Sequence, residues 1–197
     1  MAREVVTLYT LFIDTHSKNV LIILFKDGKI VTCENLETKN KHSEVAMPTI
    51  DKVLKESNVD VSELSEIVVV NGPGSFTGER IAVTIGKTIA YCLNIPIKVI
   101  DALKIIAINV VADKKIVALE DRTGAFVGTF DKDNKVIEDL QYMNNSIYKD
   151  YKLNNNIITD IDIDYEKVIS YVGGLESLNP HEVKPLYIKG ISALNDK

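Results

Sequence analysis

Residues 71–80 read Asn-Gly-Pro-Gly-Ser-Phe-Thr-Gly-Glu-Arg, and no other stretch limits the fold as tightly. The run follows a short apolar segment, Ile67-Val68-Val69-Val70, and precedes a helical pattern. A strand feeding a glycine loop that opens a helix sets backbone N–H groups at a helix N-terminus, a place suited to an anion or to close contact with another backbone. Gly72, Gly74 and Gly78 permit positive φ or close approach, and Pro73 stiffens the turn. Ser75 and Thr77 are candidate helix caps, with Phe76 between them. The known phosphate-loop spacings fail here. Gly86-Lys87-Thr88 has Ile81, not glycine, five positions before Gly86 and lies within the helical pattern, and the position that would complete Gly-x-Gly-x-x-Gly is Thr77. Spacing alone leaves both a structural turn and an anion site open.

At 197 residues the chain has the size of one domain, with room for two lobes. A net charge of −5 argues against a protein that grips nucleic acid unaided, because phosphate binding draws on clustered Lys and Arg. Cys33 and Cys92 have no metal-type spacing, which fits a reducing cytoplasmic compartment. His16, His42 and His181 form no His-x-x-x-His pair. The apolar stretch Val5–Ile13 is too short to span a membrane, lacks a cleavage site, and reads as a buried strand.

Strands are expected at Val5–Ile13, Val20–Phe25 and Lys29–Glu34, with Asp27-Gly28 as a tight hairpin turn between the last two. The first two are apolar nearly throughout, so both faces of their sheet should be covered. A helix follows over about Ser43–Ser57, on the spacing of Ala46, Met47, Ile50, Val53 and Leu54. Next come strand Ile67–Val70, a helix over about Thr77–Cys92, strand Ile97–Ile100 and a helix over Ala102–Val111. Strands Lys115–Glu120, Ala125–Phe130 and Lys135–Glu138 open the second half, repeating the β-β-β pattern without repeating the sequence. Beyond them the pattern is weak until a strand at Pro185–Ile188.

Gly78, Ala82, Gly86 and Ala90 recur every four residues and so share one helix face. Such a stripe lets a neighbour approach closely: the chain's own sheet and helices, or a helix of another chain. The bulkier stripe Ile81, Ile85 and Ile89 would then face the sheet.

The β-β-β-α-β-α order with this loop resembles the actin-like ATPase (ribonuclease H-like) fold. Within it the chain closely resembles the TsaB (YeaZ) family. The segments that carry the resemblance are Phe12-Ile13-Asp14-Thr15, His42-Ser43-Glu44, Met47-Pro48, the run 71–80, Leu93-Asn94-Ile95-Pro96 and Asp101-Ala102-Leu103. Residues 5–104 carry nearly all of it, with Ala118–Asp121 and Lys184–Ile188 beyond. The implied architecture is α/β with two lobes: an actin-like lobe over 1–104 and a reduced second lobe over 105–197.

The resemblance implies a non-catalytic subunit that supports TsaD in making N6-threonylcarbamoyladenosine at position 37 of tRNAs reading ANN codons. It implies no cofactor and no metal. The implied partners are a TsaD-like protein, a TsaE-like ATPase and a second copy of the chain, with tRNA met only through the complex and no membrane. The helices near 43–57 and 77–92 would supply the interface, through Ala46, Ile50, Gly78, Ala82, Gly86 and Ala90. Nucleotide-using members of the fold end their first strand in Asp-x-Gly; here the run is Asp14-Thr15-His16. The metal-binding His pair of TsaD falls on Ala102 and Ile106, which cannot ligate a metal. The alternative is a small ATP-dependent phosphotransferase using Asp14 and the glycine loop. A peptidase reading, once attached to this superfamily, lacks metal ligands.

Overall fold

The computed structural model describes residues 7–39 and 41–189. The chain opens with β1 (Tyr9–Asp14), β2 (Asn19–Lys26) and β3 (Lys29–Glu37), an antiparallel meander. Asp27 and Gly28 both take positive φ, 51° and 77°, as a two-residue hairpin turn demands. Val5 and Val6 of the expected first strand lie outside the described residues.

Helix α1 (His42–Glu56) carries the chain across the sheet to β4 (Leu64–Val70), and α2 (Phe76–Leu93) carries it to β5 (Ile97–Ile100). Both crossovers return parallel strands, which gives the order β3-β2-β1-β4-β5. Strand alternation divides the core. Leu11, Ile13, Ile22, Leu24, Ile67 and Val69 face α1 and α2, while Phe12, Leu21, Ile23, Phe25, Val68 and Val70 face the other way. The second face is closed by α3 (Ala102–Ile108) and by a later helix, α5 (Tyr165–Gly173), through Val168, Ile169 and Val172.

A second sheet of four strands follows: β6 (Lys114–Glu120), β7 (Gly124–Asp131), β8 (Val136–Asn144) and the short β9 (Ile157–Ile158), in the order β8-β7-β6-β9. Helix α4 (Asn145–Asn154) lies against it. Leu103, Ile106 and Ala107 of α3 pack on Val117, Phe126 and Phe130 of this sheet, while Ala102 and Ile105 pack on the first. The lobe boundary expected at 104–105 thus falls inside a helix that serves both sheets.

In the second half the structure fills one weakly patterned stretch and corrects one reading. Residues 164–173 form a capped helix, with the Asp164 carboxylate accepting from Glu166 N and Lys167 N. Pro185–Ile188 is no strand. Proline brings no donor to a ladder, and Leu186 N bonds Asn71 O at 2.7 Å in isolation. Residues 178–188 instead form a strap: Leu178 N bonds Ile97 O, Val183 enters the core, Lys87 Nζ reaches Val183 O, and Tyr187 meets the first turn of α2.

Candidate functional site

The glycine loop joins the end of β4 to α2 and lies against the end of β1. Ser75 caps α2, its hydroxyl accepting from Gly78 N. The loop is held against Asp14-Thr15-His16 by main-chain contact. Ser75 N donates to His16 O at 2.7 Å, and Thr15 Oγ1 donates to Gly78 O at 2.6 Å and accepts from Ala82 N at 3.1 Å. At the far end Ala102 N donates to Gly72 O at 2.7 Å. A Cβ at Gly78 would stand 1.9 Å from Thr15 O, and one at Gly74 2.3 Å from His16 O. Glycine is needed at both because another backbone occupies the space.

The space a phosphate would need is filled by side chains of this chain. Glu79, in the first turn of α2 and 3 % exposed, folds back so that its carboxylate accepts from Gly74 N at 2.5 Å. The same carboxylate lies where a Cβ of Gly72 would be, 2.6 Å from it. The His16 ring sits against Gly74, and its Nδ1 donates to Asp14 Oδ1 at 2.6 Å. The amides of Gly74, Ser75 and Gly78 are therefore already bonded within the chain. The anion-site reading and the turn reading converge: the loop does hold a carboxylate, its own.

Electrostatics follow from this crowding. Burial pushes the Glu79 carboxyl up to about 7, against the Gly74 amide and the charges of His16 and Arg80, which pull it down. Burial draws the His16 imidazole down, but the charge and hydrogen bond of Asp14, with the charge of Glu79, outweigh it and leave His16 above its ordinary value. The sequence pointed to Asp14 and His16. It gave Glu79 no role, although an acidic residue in a helix's first turn beside free loop amides was the available signal.

The other expected site residues are placed as follows. Gly72, Pro73, Gly74, Ser75, Phe76, Thr77 and Gly78 form the loop and the opening of α2. Gly78, Ala82, Gly86 and Ala90 are buried, and a Cβ at Gly86 would meet Val69 Cγ1 at 2.2 Å. Ala46 and Ile50 are buried in the same core. These six residues are corrected as interface residues: they pack inside the chain. The small stripe faces the sheet because Ile67, Val69 and Ile97 fill the layer beneath α2. The isoleucine stripe is corrected too. Ile81, Ile85 and Ile89 are half-buried at the flank, and exposed Thr77, Thr84, Thr88 and Tyr91 form the outer face. His42 is buried, and its Nε2 donates to Ser17 O at 2.8 Å, tying α1 to the β1–β2 turn. Ala102 and Ile106 are apolar core residues of α3. Among the described residues no three His, Cys, Asp or Glu side chains gather as a metal cage, and no helix is long and apolar enough to cross a membrane.

With its loop filled, Mg-ATP should find no ready site here. Calorimetry on the isolated chain is expected to show no binding tighter than about 100 μM, roughly −5.5 kcal/mol. Micromolar binding would restore the phosphotransferase reading.

A family model described as tRNA N6-adenosine threonylcarbamoyltransferase, TsaD, matches residues 36–128. The tRNA threonylcarbamoyladenosine biosynthesis protein TsaB of Bacillus subtilis is 38% identical over 99 residues, 50% of this chain and 43% of its own length. The protein of the same name from Buchnera aphidicola subsp. Schizaphis graminum is 32% identical over 97 residues, 49% of this chain and 46% of its own. The chain thus spans less than half the length of the curated relatives it matches. The solved structure of YeaZ from Pseudomonas aeruginosa superimposes with a TM-score of 0.76 at 18% identity, over 91% of this chain and 99% of that one. The fold is that of the YeaZ structure, and in this chain the glycine loop is filled from within. The sequence likenesses, each over half of this chain or less, are to proteins named TsaB.

Proposed function

We propose that the chain is an accessory subunit in the synthesis of N6-threonylcarbamoyladenosine on tRNA, contributing a binding surface rather than catalytic groups. Transfer chemistry and metal would belong to a TsaD-like partner, with a TsaE-like ATPase joining the pair and tRNA engaged only by the assembly. The observation that carries this reading is the likeness of about half of the chain to proteins named TsaB. The filled glycine loop supports the non-catalytic part. A reducing, cytoplasmic setting goes with it.

The partner face we infer is the outer side of α2 beside α1: Thr84 and Thr88 exposed, with Ile81, Ile85 and Ile89 half-buried between them. Short side chains over a half-buried apolar row let a second helix come close, whether from the TsaD-like protein or from a second copy. The test is co-purification with the TsaD-like protein of the same organism, with and without ATP and the TsaE-like ATPase, followed by assay of modified tRNA. A stable complex that makes the modified nucleoside only when this chain is present supports the reading, and absence of any complex sinks it. Thr84→Arg, at an exposed position, should weaken the complex at least tenfold, about 1.4 kcal/mol, while the lone variant melts like the parent. Undiminished affinity would move the interface off α2.

A further inference from the structure

Arg80 stands just past the first turn of α2, near the positive end of the helix dipole, where a cation gains nothing from the helix. Its exposed side chain is nevertheless held in one place. The guanidinium carbon lies 3.8 Å from the centroid of the Phe76 ring, one turn back along α2, and 5.6 Å from that of the Tyr187 ring on the strap. Nε donates to Tyr187 OH at 2.7 Å. The two ring centroids are 5.0 Å apart, and the rings, tilted by 33°, form an open bracket around the cation. The bracket is itself pinned. Ser75 caps α2 beside Phe76, Leu186 N bonds Asn71 O just before Tyr187, and Ile188 just after it packs against the second sheet.

The bracket leaves the forked end of the guanidinium open. Among the described residues Nη1 and Nη2 have no hydrogen-bond partner, and no carboxylate lies within ion-pair distance of them. Glu79, the one acid of α2, is turned inward onto Gly74 N. Lys87 Nζ is turned to Val183 O at 3.5 Å. The outer face of α2 thus presents the Arg80 fork with no carboxylate of its own to answer it. A guanidinium fixed beforehand loses little freedom on forming two parallel hydrogen bonds, and a carboxylate matches its fork. We propose that Arg80 anchors the partner face of α2 by gripping a carboxylate side chain of the partner protein, with Phe76 and Tyr187 packed around the pair. This rests on the reading of α2 as the face that meets the TsaD-like protein, and it names the chemistry that face requires. RNA is the weaker fit. Arg80 already covers a face of the Phe76 ring where a base would stack, and a single fork offers few phosphate contacts.

The test is the affinity of the full chain for the TsaD-like protein of the same organism, by calorimetry at about 50 and about 500 mM NaCl, either side of physiological screening. Arg80→Gln should weaken the complex at least about tenfold at the lower salt, as loss of an interface anchor does. It should also flatten the salt dependence, while the lone variant melts with its parent. Arg80→Lys, which keeps the charge but not the planar fork, should stay weaker than the parent. A parent complex that Arg80→Gln leaves at full affinity, or weakens equally at both salt concentrations, overturns the anchor and leaves the partner reading standing. No complex from the parent overturns both. A gel shift of the lone chain with a tRNA transcript that Arg80→Gln abolishes would assign the fork to RNA and overturn the proposal. Should Arg80→Gln fail to fold, Tyr187→Phe decides, since it keeps the ring and releases Nε: weaker binding with a flatter salt dependence supports the anchor, and unchanged binding overturns it.

Discussion

Replacing Gly86 with Leu should destabilise the lone chain by at least about 3 kcal/mol, the upper end of what overpacking a core costs. For a chain of this size that is a fall in Tm of roughly 6–12 °C. The first atom added already conflicts: a Cβ at Gly86 would lie 2.2 Å from Val69 Cγ1 and 3.3 Å from Ile67 Cγ2. Those are β-branched side chains on β4, a strand paired on both sides, and they are locked by neighbours and unable to swing aside. The remaining atoms of leucine fit only if α2 lifts off β4 and β5. The small stripe read as an intermolecular contact predicts the opposite, a folded monomer that no longer associates. Thermal and urea unfolding of Gly86→Leu alone separates the two, and a variant that melts with its parent would return the stripe to the intermolecular reading.

The misplacement of that stripe shows what sequence can and cannot carry. Period four over Gly78, Ala82, Gly86 and Ala90 fixes that these residues share a face and that something comes close to it. It is silent on what comes close, because a sheet of Ile67, Val69 and Ile97 and a facing helix both demand small side chains. The first half of the fold was legible because its signals are local. Asp27-Gly28 sets the hairpin, apolar runs in β1 and β2 announce a sheet covered on both faces, and the glycine run marks the β4–α2 junction. The second half was not, because α5 has nine residues and finds its apolar partner in Phe12, Ile23 and Val68, more than a hundred residues earlier in places. Pro185–Ile188 looked like a strand from its apolar content, but its neighbours are Asn71 and Arg80 rather than a sheet edge. The loop's place was evident from its residues. Its occupant was not, since Glu79 reads as an ordinary first-turn acid favoured by the helix dipole until the fold turns its carboxylate inward.

That inward turn should make the protein less stable as pH rises through neutrality. The Glu79 carboxyl ionises at about 7 in the folded chain against an ordinary 4.5. Between those values the folded state binds more protons than the unfolded one, so stability falls with rising pH and the contribution is gone above the folded value. The full difference corresponds to roughly 3 kcal/mol, of which roughly 2 kcal/mol is lost between pH 5.5 and 8.5. His16, held above its ordinary 6.5, works in the same direction: its stabilisation is complete below 6.5 and disappears as pH passes its folded value. The carboxylates held low by their partners, Glu120 and Asp121 among them, act in the opposite sense. Their contribution is lost only as pH falls through values below their ordinary ones, outside this window. Urea unfolding at pH 5.5, 7 and 8.5 should therefore show a declining ΔG for the parent. Glu79→Gln, which cannot ionise yet still offers an oxygen to Gly74 N, should decline by roughly 2 kcal/mol less, leaving the share due to His16, and should be the more stable protein at pH 8.5. A parent whose stability is level or rises over this range, or a variant with the parent's slope, would mean that the buried carboxylate is better solvated or better paired than its 3 % exposure and single amide donor indicate.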